Sequence, residues 1–267
     1  MPLRVCVAGA TGWAGSAVTR HILQSSEFQL AGVIARQGVG RDIGEVLGVQ
    51  AAGVPIVASL EEMLSELPDV LIDYTKPDSV KARTLAALEH GIRVVIGTSG
   101  LTADDYQEID TLARRLNLGV IAAGNFSITA ALAKHFAQLA AKYLPSWEII
   151  DYAHADKVDA PSGTTRELAE ALAEIAQNRL ELPIDQTQGA REARGADIAG
   201  TQVHSVRLHG YVIAFETIFG LPDERLTIRH DAGAGAEPYV GGTLLAAQRV
   251  MEVTGLVRGL DRILFES

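Results

Sequence analysis

The chain has 267 residues, 48% of them hydrophobic and 21% charged, which suits a soluble globular protein of one large or two small domains. Its 33 acidic and 23 basic side chains give a net charge of −10. That argues against a nucleic-acid partner, which needs clustered positive charge, but leaves room for an anionic substrate in a locally positive pocket. The one cysteine, Cys6, excludes an intrachain disulfide and reads as a small buried hydrophobe. No apolar run approaches a membrane span, and no signal-like segment opens the chain, so a cytoplasmic enzyme is expected.

Residues 3–8 (Leu-Arg-Val-Cys-Val-Ala) read as a buried strand, followed by a glycine turn and a helix over Trp13–Gln24. Further strands are expected at Gln29–Ala35, Val70–Tyr74, Arg93–Gly97 and Gly119–Ala123, with helices at Asp78–His90 and Thr102–Leu116. This alternation predicts a parallel sheet with helical crossovers. After Asn125 the rhythm changes. A helix over Ile128–Tyr143 leads to a strand at Trp147–Ala153 and a helix at Thr165–Gln177. Residues 178–199 read as a loop. Strands at Gln202–Leu208, Tyr211–Phe219 and Arg225–Asp231 then read as a meander, and a helix at Gly241–Thr254 is expected to rejoin the first domain. The fold class is therefore α/β in the first part and α+β in the second.

Gly9-Ala10-Thr11-Gly12-Trp13-Ala14-Gly15 lies between the first strand and first helix with G-x-x-G-x-x-G spacing. Glycines there allow a tight turn, close approach of a pyrophosphate, and packing of helix on strand. The next strand ends in Ala35-Arg36, where an NAD-preferring site usually carries an acid for the ribose 2′-hydroxyl. An arginine can instead pair a 2′-phosphate, so NADPH is the expected cofactor and NADH remains possible. Trp13 is expected to pack on the first helix.

Lys157-Val158-Asp159-Ala160-Pro161-Ser162-Gly163-Thr164 places a lysine and a Ser-Gly-Thr turn ahead of a helix. A helix start offers unpaired N–H groups and partial positive charge, and a lysine adds three donors, a combination suited to a substrate with more than one carboxylate. The histidines (His21, His90, His135, His154, His204, His209, His230) form no metal-binding spacing. His204, His209 and His230 are expected at surface or structural positions.

Together these stretches resemble the 4-hydroxy-tetrahydrodipicolinate (dihydrodipicolinate) reductase family. The resemblance also rests on Asp73-Tyr74-Thr75-Lys76-Pro77, Gly97-Thr98-Ser99-Gly100 and Asn125-Phe126-Ser127. It implies a Rossmann dinucleotide-binding domain over 1–125 and 236–267. It also implies a substrate-binding and oligomerisation domain over 126–235, built on a mixed open sheet and assembling as a homotetramer. It implies that Gly9, Ala10, Thr11, Gly12, Trp13 and Ala14 cradle the pyrophosphate and Arg36 meets the adenosine ribose. Gly97, Thr98, Ser99, Ala123, Gly124, Asn125 and Phe126 then line the nicotinamide side. Ser162, Gly163 and Thr164 would hold a substrate carboxylate, His154 would bind substrate, and Lys157 would act at the reacting ring.

One departure stands out: the family pattern has two adjacent histidines, and the first, its proton donor, is matched here by Ala153. Tyr152 and His154 are the neighbours able to substitute, and both lie opposite Ala153 by strand alternation. The expected activity is NAD(P)H-dependent reduction of the cyclic dicarboxylate in the diaminopimelate route to lysine. Two other readings stay open: a paralogue reducing another carboxylated imine or unsaturated acid, and a non-catalytic NADPH-binding protein.

Overall fold

The computed structural model describes residues 1–265, apart from the side chains of 64–66. Two units divide the chain: Met1–Ile128 with the segment from Ala236 onward, and Thr129–Gly235.

The first unit begins with β1 (Leu3–Ala8), whose last four side chains are buried, and α1 (Trp13–Gln24). It continues through β2 (Phe28–Ile34), α2 (Ile43–Val46), β3 (Ile56–Val57), β4 (Val70–Asp73), α3 (Pro77–Glu89), β5 (Arg93–Ile96), α4 (Ala103–Leu116) and β6 (Gly119–Ala122). Near-continuous apolar runs in β4, β5 and β6 suit strands covered on both faces. α4 is closed by a capping box between Thr102 and Asp105 and by Asn117 in the left-handed conformation.

The second unit comprises α5 (Ile128–Ala141), β7 (Trp147–Ala153), α6 (Gly163–Ile175), β8 (Ala196–Ile198), β9 (Thr201–Arg207), β10 (Ile213–Leu221) and β11 (Glu224–Ala232). The chain then returns to the first unit as α7 (Glu237–Arg249), β12 (Gly255–Arg258) and α8 (Leu260–Phe265). α7 begins four residues earlier than its apolar pattern suggests because Pro238 falls in its first turn, where a missing N–H is no loss.

In the first unit the strand order is β12-β6-β5-β4-β1-β2-β3, all pairs parallel. The chain winds outward from β1 through β2 to β3, then crosses to β4 on the other side. The switch point lies between β1 and β4, where open α/β sheets take ligands at the carboxyl ends of their strands.

The second sheet runs β11-β10-β7-β9-β8. β7 pairs parallel with β9 and antiparallel with β10. The expected meander is therefore corrected, because β9 and β10 are separated by β7. Their connector, 208–212, spans two strand spacings, about 10 Å, too far for a tight hairpin. It is tied over the end of β7 by Leu208 N–H to Ala153 O (3.2 Å) and by His154 N–H to Val212 O (3.2 Å).

Residues 178–199 are also not wholly loop. β8 pairs antiparallel with β9 through a turn at Ala199 (φ 51°) and Gly200 (φ 80°), the left-handed pair that a two-residue hairpin needs. The inward face of this sheet carries Trp147, Ile149, Val203, Phe215 and Phe219, packed on α5 and α6.

Candidate functional site

The expected cofactor residues lie at the carboxyl ends of β1, β2, β5 and β6, on one edge of the first sheet. Gly9 has φ +82°, and a Cβ there would sit 2.7 Å from the Tyr74 carbonyl carbon. A Cβ on Gly15 would sit 2.8 Å from the Gly9 carbonyl carbon, so α1 packs against the strand end only with glycine at that position. Gly12 is the N-cap of α1 and supplies no side-chain cap. The first turn carries no acid, which leaves its N–H groups to an incoming anion. Trp13 is the first residue of α1. It is 58% exposed and sets its edge against Tyr239 of α7, with ring centroids 5.3 Å apart.

Arg36 follows buried Ala35 and is exposed, and no carboxylate is bonded to its guanidinium among the described residues. Gly97 and Thr98 follow β5; Ser99 is exposed, as is Gly124 beyond buried Ala123, while Phe126 is 1% exposed.

Sequence reasoning quoted Asp73-Tyr74-Thr75 only as part of the resemblance and gave Asp73 no role, yet Asp73 ties these loops together. Asp73, fully buried, accepts from Thr75 N–H (2.9 Å) and Thr75 Oγ1 (2.6 Å) and pairs with Arg83 (2.5 Å). Thr98 Oγ1 accepts from Thr75 N–H (2.8 Å), joining the β4 and β5 loops. Tyr74 lies between glycines, and its hydroxyl meets Thr243 Oγ1 of α7 at 2.6 Å. Burial pushes the Tyr74 phenol well above its usual range. The signal was a charged residue ending an otherwise apolar strand, Val-Leu-Ile-Asp.

In the second unit, β7 alternates buried and part-exposed residues and delivers Asp151 and Ala153 to its inner face, both at 0% exposure. α6 begins at Gly163, two residues earlier than expected, because Ser162 is its N-cap. Gly163 is exposed and Thr164 half-buried, so the helix start is open to solvent. Lys157 Nζ lies 2.6 Å from Asp159 Oδ1. Burial is the largest single influence and raises the Asp159 pKa, but the Lys157 bond, a backbone hydrogen bond and the charges of Lys157 and Arg207 together outweigh it, and the net shift is downward.

His154, just past the end of β7, is half-exposed, and its Nδ1 lies 2.5 Å from Asp156 Oδ1. The bond from His154 is the main cause holding Asp156 below its usual pKa. Tyr152 is engaged elsewhere: its ring stacks on Tyr211 (4.9 Å), lies 5.0 Å beneath Arg229, and its hydroxyl meets Glu216 at 3.5 Å. Of the other histidines, His204 Nε2 pairs with Glu148 (2.8 Å), His230 Nε2 lies 3.0 Å from Thr129 Oγ1, and His209 is exposed.

Residues 3–126 match the family described as dihydrodipicolinate reductase, N-terminus, and residues 126–264 match its C-terminus. The chain belongs to the dihydrodipicolinate reductase family. It is 39% identical over 263 residues to the 4-hydroxy-tetrahydrodipicolinate reductase of Carboxydothermus hydrogenoformans, covering 98% of this chain and 99% of that protein. The reductase of Moorella thermoacetica is 40% identical, with 98% of each covered. Among solved structures, a dipicolinate-bound dihydrodipicolinate reductase from Paenisporosarcina sp. TG-14 superposes with a TM-score of 0.85 at 34% identity, covering 98% of this chain and 100% of that one.

Dihydrodipicolinate reductases use a nicotinamide dinucleotide. The glycine loop here fits such a group. Gly9 and Gly15 let the turn close tightly against the Tyr74 and Gly9 backbone, and the uncapped start of α1 offers N–H donors suited to a pyrophosphate.

Proposed function

We propose that this chain reduces 4-hydroxy-tetrahydrodipicolinate to tetrahydrodipicolinate, the reductase step of lysine biosynthesis through diaminopimelate. The observation that carries the proposal is the Lys157–Thr164 segment: a lysine and an open, Ser-capped helix start on one eight-residue stretch, in a chain that matches the family over nearly its whole length. A bound nicotinamide dinucleotide supplies the hydride. Gly9, Ala10, Thr11, Gly12, Trp13 and Ala14 hold its pyrophosphate, and Gly97, Thr98, Ser99, Ala123, Gly124, Asn125 and Phe126 form the nicotinamide side. Arg36, following an alanine rather than an acid, favours NADPH through the 2′-phosphate.

On the substrate side, the N–H groups of Gly163 and Thr164 bind one carboxylate, with Ser162 holding the turn. Lys157 Nζ exchanges its carboxylate partner Asp159 for the substrate and supplies charge and a proton at the reacting ring. His154, with Nδ1 engaged by Asp156, keeps Nε2 for the substrate. A homotetramer in the cytoplasm completes this reading, supported by the family resemblance. A second reading, reduction of another carboxylated imine, is favoured by Ala153, whose methyl group on the buried face of β7 cannot carry a proton.

The test is NADPH oxidation with freshly generated 4-hydroxy-tetrahydrodipicolinate by the wild type and Lys157→Ala. Turnover is expected in the wild type, with kcat/KM falling about 10²–10⁴-fold in the variant, the usual contribution of a positioned acid. Normal NADPH binding without turnover in the wild type would reject the lysine-route substrate in favour of the second reading.

A further inference from the structure

Asp151 is the most heavily engaged carboxylate of the second unit, and nothing in the mechanism above uses it. It has no solvent exposure. Oδ1 accepts from Ser162 Oγ (2.6 Å) and Thr165 Oγ1 (3.0 Å). Oδ2 accepts from Ser162 N–H (2.9 Å), Ser205 Oγ (3.3 Å) and Arg207 (2.8 Å). The same Arg207 nitrogen donates to Asp159 O at 2.6 Å. Burial raises the Asp151 pKa, but the bonds from Ser162 and Arg207 outweigh it and the carboxyl is held below its usual range.

These bonds join β7, β9 and the cap of α6, and through Arg207 they reach the turn between Lys157 and Ser162. Engaging both the N–H and the hydroxyl of the cap residue fixes the direction in which the next two N–H groups leave the helix. A bare carboxylate at that point would repel an incoming anion; Arg207 neutralises it. We propose that Asp151, with Arg207 as its counter-ion, is the positioning residue for substrate-carboxylate capture at Gly163 and Thr164. This rests on the reading of that helix start as the substrate site.

The test measures binding of dipicolinate to the NADPH-saturated full-length protein by calorimetry, with NADPH affinity and steady-state constants alongside. Asp151→Asn keeps the shape but removes the charge and an acceptor. The dissociation constant for dipicolinate and KM are expected to rise at least 10-fold, kcat to change less than 3-fold, and NADPH affinity to hold, because a charge-assisted bond contributes about 10-fold or more. Asp151→Glu should recover part of the loss. A merely structural role would lower the thermal midpoint and the active fraction while leaving the affinity of the folded fraction unchanged, and that outcome overturns the proposal. Should Asp151→Asn not fold, Thr165→Val removes one donor from Asp151 at constant volume. A 2- to 5-fold weaker dipicolinate affinity is then expected, and unchanged affinity overturns the proposal. If the wild type binds NADPH but no dipicolinate, the substrate-site reading itself fails, and the Asp151 proposal falls with it.

Discussion

Gly97→Ala offers a demanding test of how the floor of the first unit is built. A methyl group at 97 would lie 2.5 Å from Tyr74 Cζ and 2.7 Å from Cδ1. The ring has little room to retreat. Thr243 Oγ1 donates to Tyr239 O (2.7 Å), so the 2.6 Å contact with Tyr74 must have the phenol as donor, and the ring edge faces Phe126 at 6.1 Å. Overpacking of this kind costs about 1–3 kcal/mol, and displacing the phenol from Thr243 adds about 1 kcal/mol. The stiffer unfolded chain of alanine offsets roughly 0.4–1 kcal/mol. The net expectation is a loss of about 1–3 kcal/mol. For a chain of this size that is a fall in Tm of roughly 2–12 °C, measured by calorimetry with NADPH absent. In a Tyr74→Ala background the added methyl should become neutral or favourable, giving a coupling of comparable size in a double-mutant cycle. If Gly97→Ala melts with the wild type, or if its cost is the same with and without the Tyr74 ring, the account of this contact is wrong.

Arg36→Ala should weaken NADPH by about 10- to 100-fold in fluorescence titration, the worth of a charge-assisted phosphate bond, and NADH by less than 3-fold; equal losses for both would remove Arg36 from the 2′-phosphate. Ala153→His places an imidazole at a position with no exposure, so it should cost about 1–3 kcal/mol in urea unfolding rather than raise kcat; a faster, equally stable variant would contradict the inward placement. The lowered pKa of Asp151 also sets a pH dependence. Its stabilisation is fully present above the unfolded value near 3.9 and is lost as pH falls through the lower folded value. The Tm gap between wild type and Asp151→Asn should therefore be constant from neutrality down to about pH 5 and shrink only below about pH 4, and a gap that closes near neutrality would rule out this assignment.

The parallel sheet was readable because each of its longer strands is an apolar run beside a turn, and α1 begins where the glycines stop. β3 was missed because two residues carry no periodicity, and β12 because its Gly-Leu-Val-Arg holds only two apolar side chains. The place of β7 between β9 and β10 was hidden for a different reason. Pairing across a sheet is non-local, and successive strands in sequence look alike whether or not they touch. Asp151 shows the same limit at the candidate site. In Trp-Glu-Ile-Ile-Asp-Tyr-Ala its inward phase is visible, but the hydroxyls and guanidinium that satisfy it come from residues 11 to 56 positions away. Lys157, Ser162, Gly163 and Thr164 stood out because their chemistry lies within one short contiguous segment.

Connectors on a protein surface usually drift in length between relatives without consequence. The five residues 208–212 do not have that freedom. Their two hydrogen bonds, at Ala153 and His154, mark the point at which β7 stops being strand and the segment carrying His154 and Lys157 begins. One residue more or fewer there would move the point of departure of that whole segment, so length variation in this unit should accumulate in 180–190, beyond the Asn178 and Arg179 bonds that hold the start of β7.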